Sequence, residues 1–146
     1  MREITVKLVA SFLFIGYAPV APGTWGSIAG LLIAYFIPSH LPLWTLLLSL
    51  LGLAICGPSR KAFKTDDPSA FVLDEVCGMM LSVVWLPKEL IVYAAAFLLF
   101  RIGDIWKPWP VSLIQKHPHA TSIMGDDLAV GLVVNLILQA ILYLRF

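Results

Sequence analysis

Two of the four apolar stretches in this chain are cut by proline, and this limits the helices that can form. The stretches cover residues 8–15, 28–56, 76–100 and 128–144. Pro38-Ser-His-Leu-Pro42 interrupts the second, and Pro87-Lys88-Glu89 interrupts the third. Proline removes a helix donor and clashes with the preceding turn, so both sites are expected breaks. The pieces become residues 27–37, 43–56, 74–86 and 88–101, with a last helix over 127–144. Pieces of about 11 to 14 residues reach only roughly 16–21 Å at 1.5 Å per residue. A straight crossing needs about 20 residues for about 30 Å of hydrocarbon, so only the last helix approaches a full span. The expected fold is all-α: one integral membrane helical bundle over residues 1–146, built from short helical hairpins plus a C-terminal membrane helix. Partial and complete crossings by the hairpins both fit.

Composition supports lipid as the solvent. The 146 residues are 60% hydrophobic and 13% charged, against about 45–50% and 25% in soluble domains. A small water-soluble fold buries too little of its surface to hide that excess. The net charge of +1 gives no broad basic face for nucleic acid. Cys56 and Cys77 have no metal or redox spacing and read as core residues. Arg2, Lys7 and the apolar run after them imitate a signal peptide. The segment is read instead as the first helix of the mature chain.

Hairpins would gather residues 16–26, 57–73 and 102–125 at one membrane face. Arg60, Lys61, Lys64, Lys107 and Lys116 fall there, with Arg101 at the border. Positive residues favour the cytoplasmic side, so this face is expected in the cytoplasm.

The acids are the sharpest chemical signal. Of nine, five sit hard against apolar runs: Asp74, Glu75, Asp104, Asp126 and Asp127. Carboxylates beside hydrocarbon are costly and usually functional or paired. An aspartate before an apolar helix is also a good N-cap. Capping does not explain paired acids used twice, nor Asp104 at a helix C-terminus, where the dipole disfavours it. Three acidic patches at one face repel unless a cation joins them. Oxygen ligands select magnesium, calcium or manganese. A divalent-metal site is therefore expected, with Asp74, Glu75, Asp104, Asp126 and Asp127 as its candidate ligands.

Two further segments suit phosphate. Residues 16–30 are rich in glycine and proline, with Thr24 and Ser27 placed to start a helix. Free N–H groups at a helix start, with Gly26 allowing close approach, make an anion site; a plain loop-to-helix cap explains the same residues. The lysine of a P-loop is missing. In Phe100-Arg-Ile-Gly-Asp-Ile-Trp-Lys-Pro-Trp-Pro110, Arg101 and Lys107 flank Asp104. Arginine offers a bidentate fork to phosphate oxygens and lysine a point charge. Trp106 and Trp109 suit a membrane interface. His117 and His119 read as a surface loop, Glu89 as a solvated hairpin tip, and Gly78, Gly125 and Gly131 as close helix contacts.

Four motifs in this order resemble the phosphatidylglycerophosphatase A family over residues 16–131. They are Ala21-Pro-Gly-Thr-Trp-Gly-Ser27, Asp67-Pro-Ser-Ala-Phe-Val-Leu-Asp-Glu-Val-Cys-Gly78, the Phe100–Pro110 segment, and Ile123-Met-Gly-Asp-Asp-Leu-Ala-Val-Gly131. There are departures. Gly103 stands where the family usually has an aromatic residue, Val130 where it has alanine, and Ser69 where glycine is common. The resemblance implies a Mg2+-dependent phosphatase of the bacterial cytoplasmic membrane. Its substrate would be the phospholipid phosphatidylglycerophosphate and its product phosphatidylglycerol. Asp74, Glu75, Asp104, Asp126 and Asp127 would supply metal ligands and one general base. Arg101 and Lys107 would hold phosphate, assisted by Thr24, Gly26 and Ser27. Water attack and an aspartyl-phosphate both remain open, as does the oligomeric state. Two non-enzyme readings compete: a small cation or proton carrier, and a structural membrane subunit with the acids as caps. Acids at helix ends, not mid-helix, argue against the carrier.

Overall fold

The computed structural model describes residues 3–66, 68–107 and 121–144. Among them the chain is all-helical: α1 (Glu3–Ala10), a 3-10 turn (Ile15–Tyr17), α2 (Pro22–Phe36), α3 (Leu41–Phe63), α4 (Leu73–Ser82), α5 (Leu90–Trp106) and α6 (Ser122–Tyr143). Asp67, Lys116, His117, His119 and the motif residues 108–110 lie outside the described residues.

The hairpin breaks fall where proline dictates, between α2 and α3 and between α4 and α5. The lengths differ from expectation. The first helix is α1, ending at Ala10, because Phe12, Leu13 and Phe14 turn left-handed after it. α3 continues through Pro58 to Phe63, so α3 and α6 are both long and apolar enough to cross a membrane. Pro58 and Ala54, whose carbonyl it deprives of a partner, both lie on the exposed side of α3. That carbonyl is not trapped in the core, which lowers the cost of proline there. α4 stops at Ser82, short of residue 86. Buried Asn135 of α6 donates to the carbonyls of Ser82 and Val84, at 3.2 and 2.8 Å, and so satisfies the end of α4.

α4 is the buried centre, packed against α6, α2, α3 and α5. Val76, Met79 and Met80 of α4, with Val83 just after it, join Phe100, Val130, Val134 and Leu138 in the main core. A second cluster places Leu73 and Cys77 against Ile55, Cys56 and Met124. Leucines and isoleucines cover the outside: Leu46, Leu50, Leu98, Leu136 and Ile141 are all more than half exposed. Soluble monomers rarely show so much apolar surface. With lipid outside, helices gain little from burying leucine, and close contact at small residues must hold the bundle. Gly78 of α4 and Gly131 of α6 provide it: a Cβ on Gly131 would lie 2.3 Å from the Gly78 carbonyl oxygen. The α2, α4 and α6 N-termini and the α3 and α5 C-termini share one end of the bundle.

Candidate active site

That end carries the acids. Asp74 and Glu75 lie in the first turn of α4 and Asp127 in the second turn of α6. Because α4 and α6 touch through glycine, the three carboxylates converge, with one oxygen from each within 4.8 Å of the others. They are not caps. The N-cap residues are Val72 for α4 and Thr121 for α6, and neither makes a side-chain cap bond. Asp74 and Asp127 are buried, and Glu75 is mostly buried. Burial pushes the Asp74 carboxyl well up, and the charges of Glu75 and Asp127 add to this. Burial also raises Glu75, although its hydrogen bond with Asp74 pulls the other way. Glu75 Oε2 and Asp127 Oδ2 are buried without a hydrogen-bond partner. A buried unpaired carboxylate oxygen is expensive.

The other two acids hold the two bases. Arg101, near the end of α5, donates from Nη1 to Asp104 Oδ2 at 2.7 Å and to Ser27 Oγ at 3.3 Å. Lys107 caps α5 in a left-handed conformation, φ 43°, and its N–H bonds the Gly103 carbonyl. From there its ammonium reaches Asp126 of α6. Burial pulls Lys107 down, but the hydrogen bond and charge of Asp126, with Asp127 and Asp104 behind it, leave it raised. Asp104 is also close enough to Glu75 and Asp127 to act on their charges. The five acids singled out in the sequence thus form one shell. Three carboxylates converge, and two anchor cations at their rim.

The α2 residues play different parts from those expected. α2 begins at Pro22, not near Ser27, and its N-cap, Ala21, makes no side-chain bond. Thr24 is inside the first turn, with its N–H already on the Ala21 carbonyl at 2.9 Å. Gly26 faces Val72 and Glu75, so the close approach it permits is between α2 and α4. Ser27 is fully buried; its hydroxyl donates to the Gly23 carbonyl at 2.9 Å and accepts from Arg101. Gly23 was missed as a site residue. A Cβ there would meet Glu75 Oε1 at 2.3 Å and Arg101 Nη1 at 3.4 Å. Its only sequence signal is its place in the Ala21–Ser27 motif.

The converging set fits a hard divalent cation. Three carboxylates offer oxygen ligands, and two buried oxygens lack partners. Cations at the rim add positive charge beside it. Five carboxylates outnumber the two bases, so the site could draw a phosphate only with a cation in place.

The sequence profile described as phosphatidylglycerophosphatase A matches residues 8–142. The chain is 34% identical over 124 residues to phosphatidylglycerophosphatase A of Escherichia coli K12, covering 81% of this chain and 72% of that one. It is 31% identical over 145 residues to phosphatidylglycerophosphatase A of Haemophilus influenzae, covering 94% and 89%. It is also 32% identical over 138 residues to a Bacteroides thetaiotaomicron protein named as a candidate phosphatidylinositol-3-phosphatase, covering 86% of each. No solved structure matches the chain. With nearly its whole length matched, the chain belongs to the phosphatidylglycerophosphatase A family.

Proposed function

We propose that this protein is a membrane lipid phosphatase that hydrolyses the phosphate monoester of phosphatidylglycerophosphate, using Mg2+ held by Asp74, Glu75 and Asp127. The observation that carries this reading is the convergence of those three carboxylates, two with unpartnered oxygens, beside Arg101 and Lys107. The names of the Escherichia and Haemophilus relatives support the substrate.

A bound divalent cation would neutralise phosphate oxygens and make water a better nucleophile. The chain's own groups do the rest. Arg101 has five donors in a rigid fork, so it keeps Asp104 and Ser27 while turning others toward phosphate. Lys107, fixed by Asp126, adds a point charge on the neighbouring side. Asp104 and Asp126 therefore act in this reading as positioning residues. One carboxylate of the set that is not engaged with the cation would accept the proton of the attacking water. The acyl chains stay against the apolar helices, with the ester at the headgroup level. The basic ends of α3 and α5 favour the cytoplasmic face of the bacterial inner membrane.

The carrier reading fares worse, because below the acids α4 and α6 are joined by packed Met79, Met80, Val130, Val134 and Leu138. The test is phosphate release from phosphatidylglycerophosphate by purified protein in detergent, with Mg2+ and with excess chelator. Release is expected to require Mg2+ and to be lost in Asp127→Asn at unchanged folding. Faster release from phosphatidylinositol 3-phosphate would replace the substrate, and no release from either lipid by folded protein would overturn the reading.

A further inference from the structure

We infer that the seam between α2 and α5 is a binding groove for one acyl chain of the phosphate-bearing lipid, and that it makes turnover depend on chain length. This rests on the lipid phosphatase reading and deepens it.

The two helices run antiparallel and meet at two levels. At the site end, Arg101 of α5 donates to Ser27 of α2. At the far end, the Tyr93 hydroxyl donates to the Ala34 carbonyl at 3.5 Å, and the Tyr93 ring meets Tyr35 edge-on at 5.9 Å. Positions four apart share a helix face. Ser27, Leu31 and Tyr35 therefore follow one ridge of α2, and Arg101, Phe97 and Tyr93 follow one ridge of α5. Beyond the first level the seam opens into a groove of about 640 Å³, whose lining runs from Leu31, Phe97 and Leu98 past Ala94 to Phe36 and Leu90.

A phosphate-binding arginine thus heads a crevice walled by hydrocarbon. A molecule that satisfies both must carry an anionic phosphate joined to an apolar chain. A free phosphate would leave the groove unused, and a neutral lipid would leave Arg101 unused. The Tyr35–Tyr93 pair lines the groove toward its far end, which runs on to Phe36 and Leu90, and the Lys88 ammonium lies 4.3 Å from the Tyr35 ring centre. From Ser27 to Tyr35 the seam runs about 12 Å at 1.5 Å per residue. A chain that reaches the tyrosines lies along most of it, and a much shorter one does not. Binding energy from such a remote part of a substrate is available to the reacting end.

The test uses Ala94→Trp, which places an indole in the groove from an exposed position. Phosphate release is compared for phosphatidylglycerophosphate with long chains and with six-carbon chains. The variant is expected to lose about tenfold in kcat/KM on the long-chain lipid and little on the short one, because only the former draws on remote binding. An equal effect on both, or on neither, in protein that melts like wild type overturns the inference. A second measurement needs no turnover. Phosphatidic acid carrying a photoreactive group midway along one chain should label residues 31–36 and 90–98 in wild type, and less so in Ala94→Trp. Equal labelling by phosphatidylcholine with the same chain would make the seam part of the general lipid shell and overturn the inference. Selective labelling without any phosphate release would retain the groove and reject the phosphatase reading.

Discussion

Gly131 of α6 lies against Gly78 of α4 so closely that neither has room for a Cβ: one on Gly131 would be 2.3 Å from the Gly78 carbonyl oxygen, and one on Gly78 2.6 Å from the Asp127 carbonyl oxygen. The obstructing atoms are backbone, so they cannot rotate aside. Asp127 is one turn from Gly131, and Asp74 one turn from Gly78. The glycine contact therefore sets the spacing of the carboxylates. Gly131→Ala is expected to force the helices apart, at an overpacking cost of about 1–3 kcal/mol. The Tm in detergent should fall, and Mg2+-dependent activity should fall further than in an equally destabilised variant remote from the site. Unchanged activity with a lowered Tm would separate the crossing from the chemistry.

Stability should depend on pH in a direction set by Asp74 and Glu75. Burial raises both carboxyls in the folded protein, above all Asp74, whose neighbours Glu75 and Asp127 repel its charge. With chelator present, the native state keeps protons at pH values where the unfolded chain has released them. Stability should then fall as pH rises from the ordinary carboxylate range through the raised values. Mg2+ should oppose the fall, because it takes the place of the protons. At a hundred times its Kd, a ligand specific for the native state adds about 2.7 kcal/mol. Asp74→Asn should flatten the pH dependence in chelator and weaken the gain from Mg2+. Melting curves across pH, with and without Mg2+, check both. A chelated protein that becomes more stable as pH rises would contradict the arrangement.

The Arg101–Asp104 pair is expected to matter through geometry more than through net charge. Hydrogen bonds to charged groups are worth about 1.5–3 kcal/mol. Asp104→Asn should therefore lower kcat/KM by roughly 10- to 100-fold at that scale, and Arg101→Lys, which loses the fork, by at least as much. Ser27→Ala should cost less, because its bond to Arg101 is long at 3.3 Å. Steady-state kinetics with a Mg2+ titration distinguish the cases. Loss of phosphate positioning leaves the Mg2+ dependence in place, whereas loss of a ligand shifts it.

The sequence was most legible where one residue type carries a local penalty. Prolines marked both hairpin breaks, and acids beside hydrocarbon marked Asp74, Glu75, Asp104, Asp126 and Asp127. What could not be read depended on partners distant in sequence. The apolar run ended at residue 56, yet α3 continues through Pro58 to Phe63, because the cost of that proline falls on the exposed side. Ser27 looked like a helix start, yet α2 begins at Pro22 and Ser27 holds Arg101 from the sixth position of the helix. The division of the acids into three that converge and two that anchor bases requires knowing which helices touch. Gly23 has no chemistry of its own and enters the site only because Glu75 and Arg101 come to it.

The same dependence on distant partners explains two departures from the family pattern that seemed unrelated in sequence. Gly103 replaces a usual aromatic residue, and Val130 a usual alanine; in the structure they face each other. A Cβ on Gly103 would lie 2.8 Å from Val130 Cγ1. The space given up at 103 is occupied by the branched side chain at 130, which packs against α5 one residue from Asp104. Gly103→Ala alone should therefore cost about 1–3 kcal/mol by overpacking. Val130→Ala alone should cost about 1.6 kcal/mol for two buried methyl groups, more if a cavity remains. Together they should cost clearly less than the sum, with a coupling of about 0.5–3 kcal/mol. Unfolding in detergent of the two single variants and the double variant measures this directly. Gly103→Ala should also lower activity by displacing Asp104 from Arg101, and Val130→Ala should restore it in the double variant. Additive costs with no recovery of activity would mean that the two substitutions are independent.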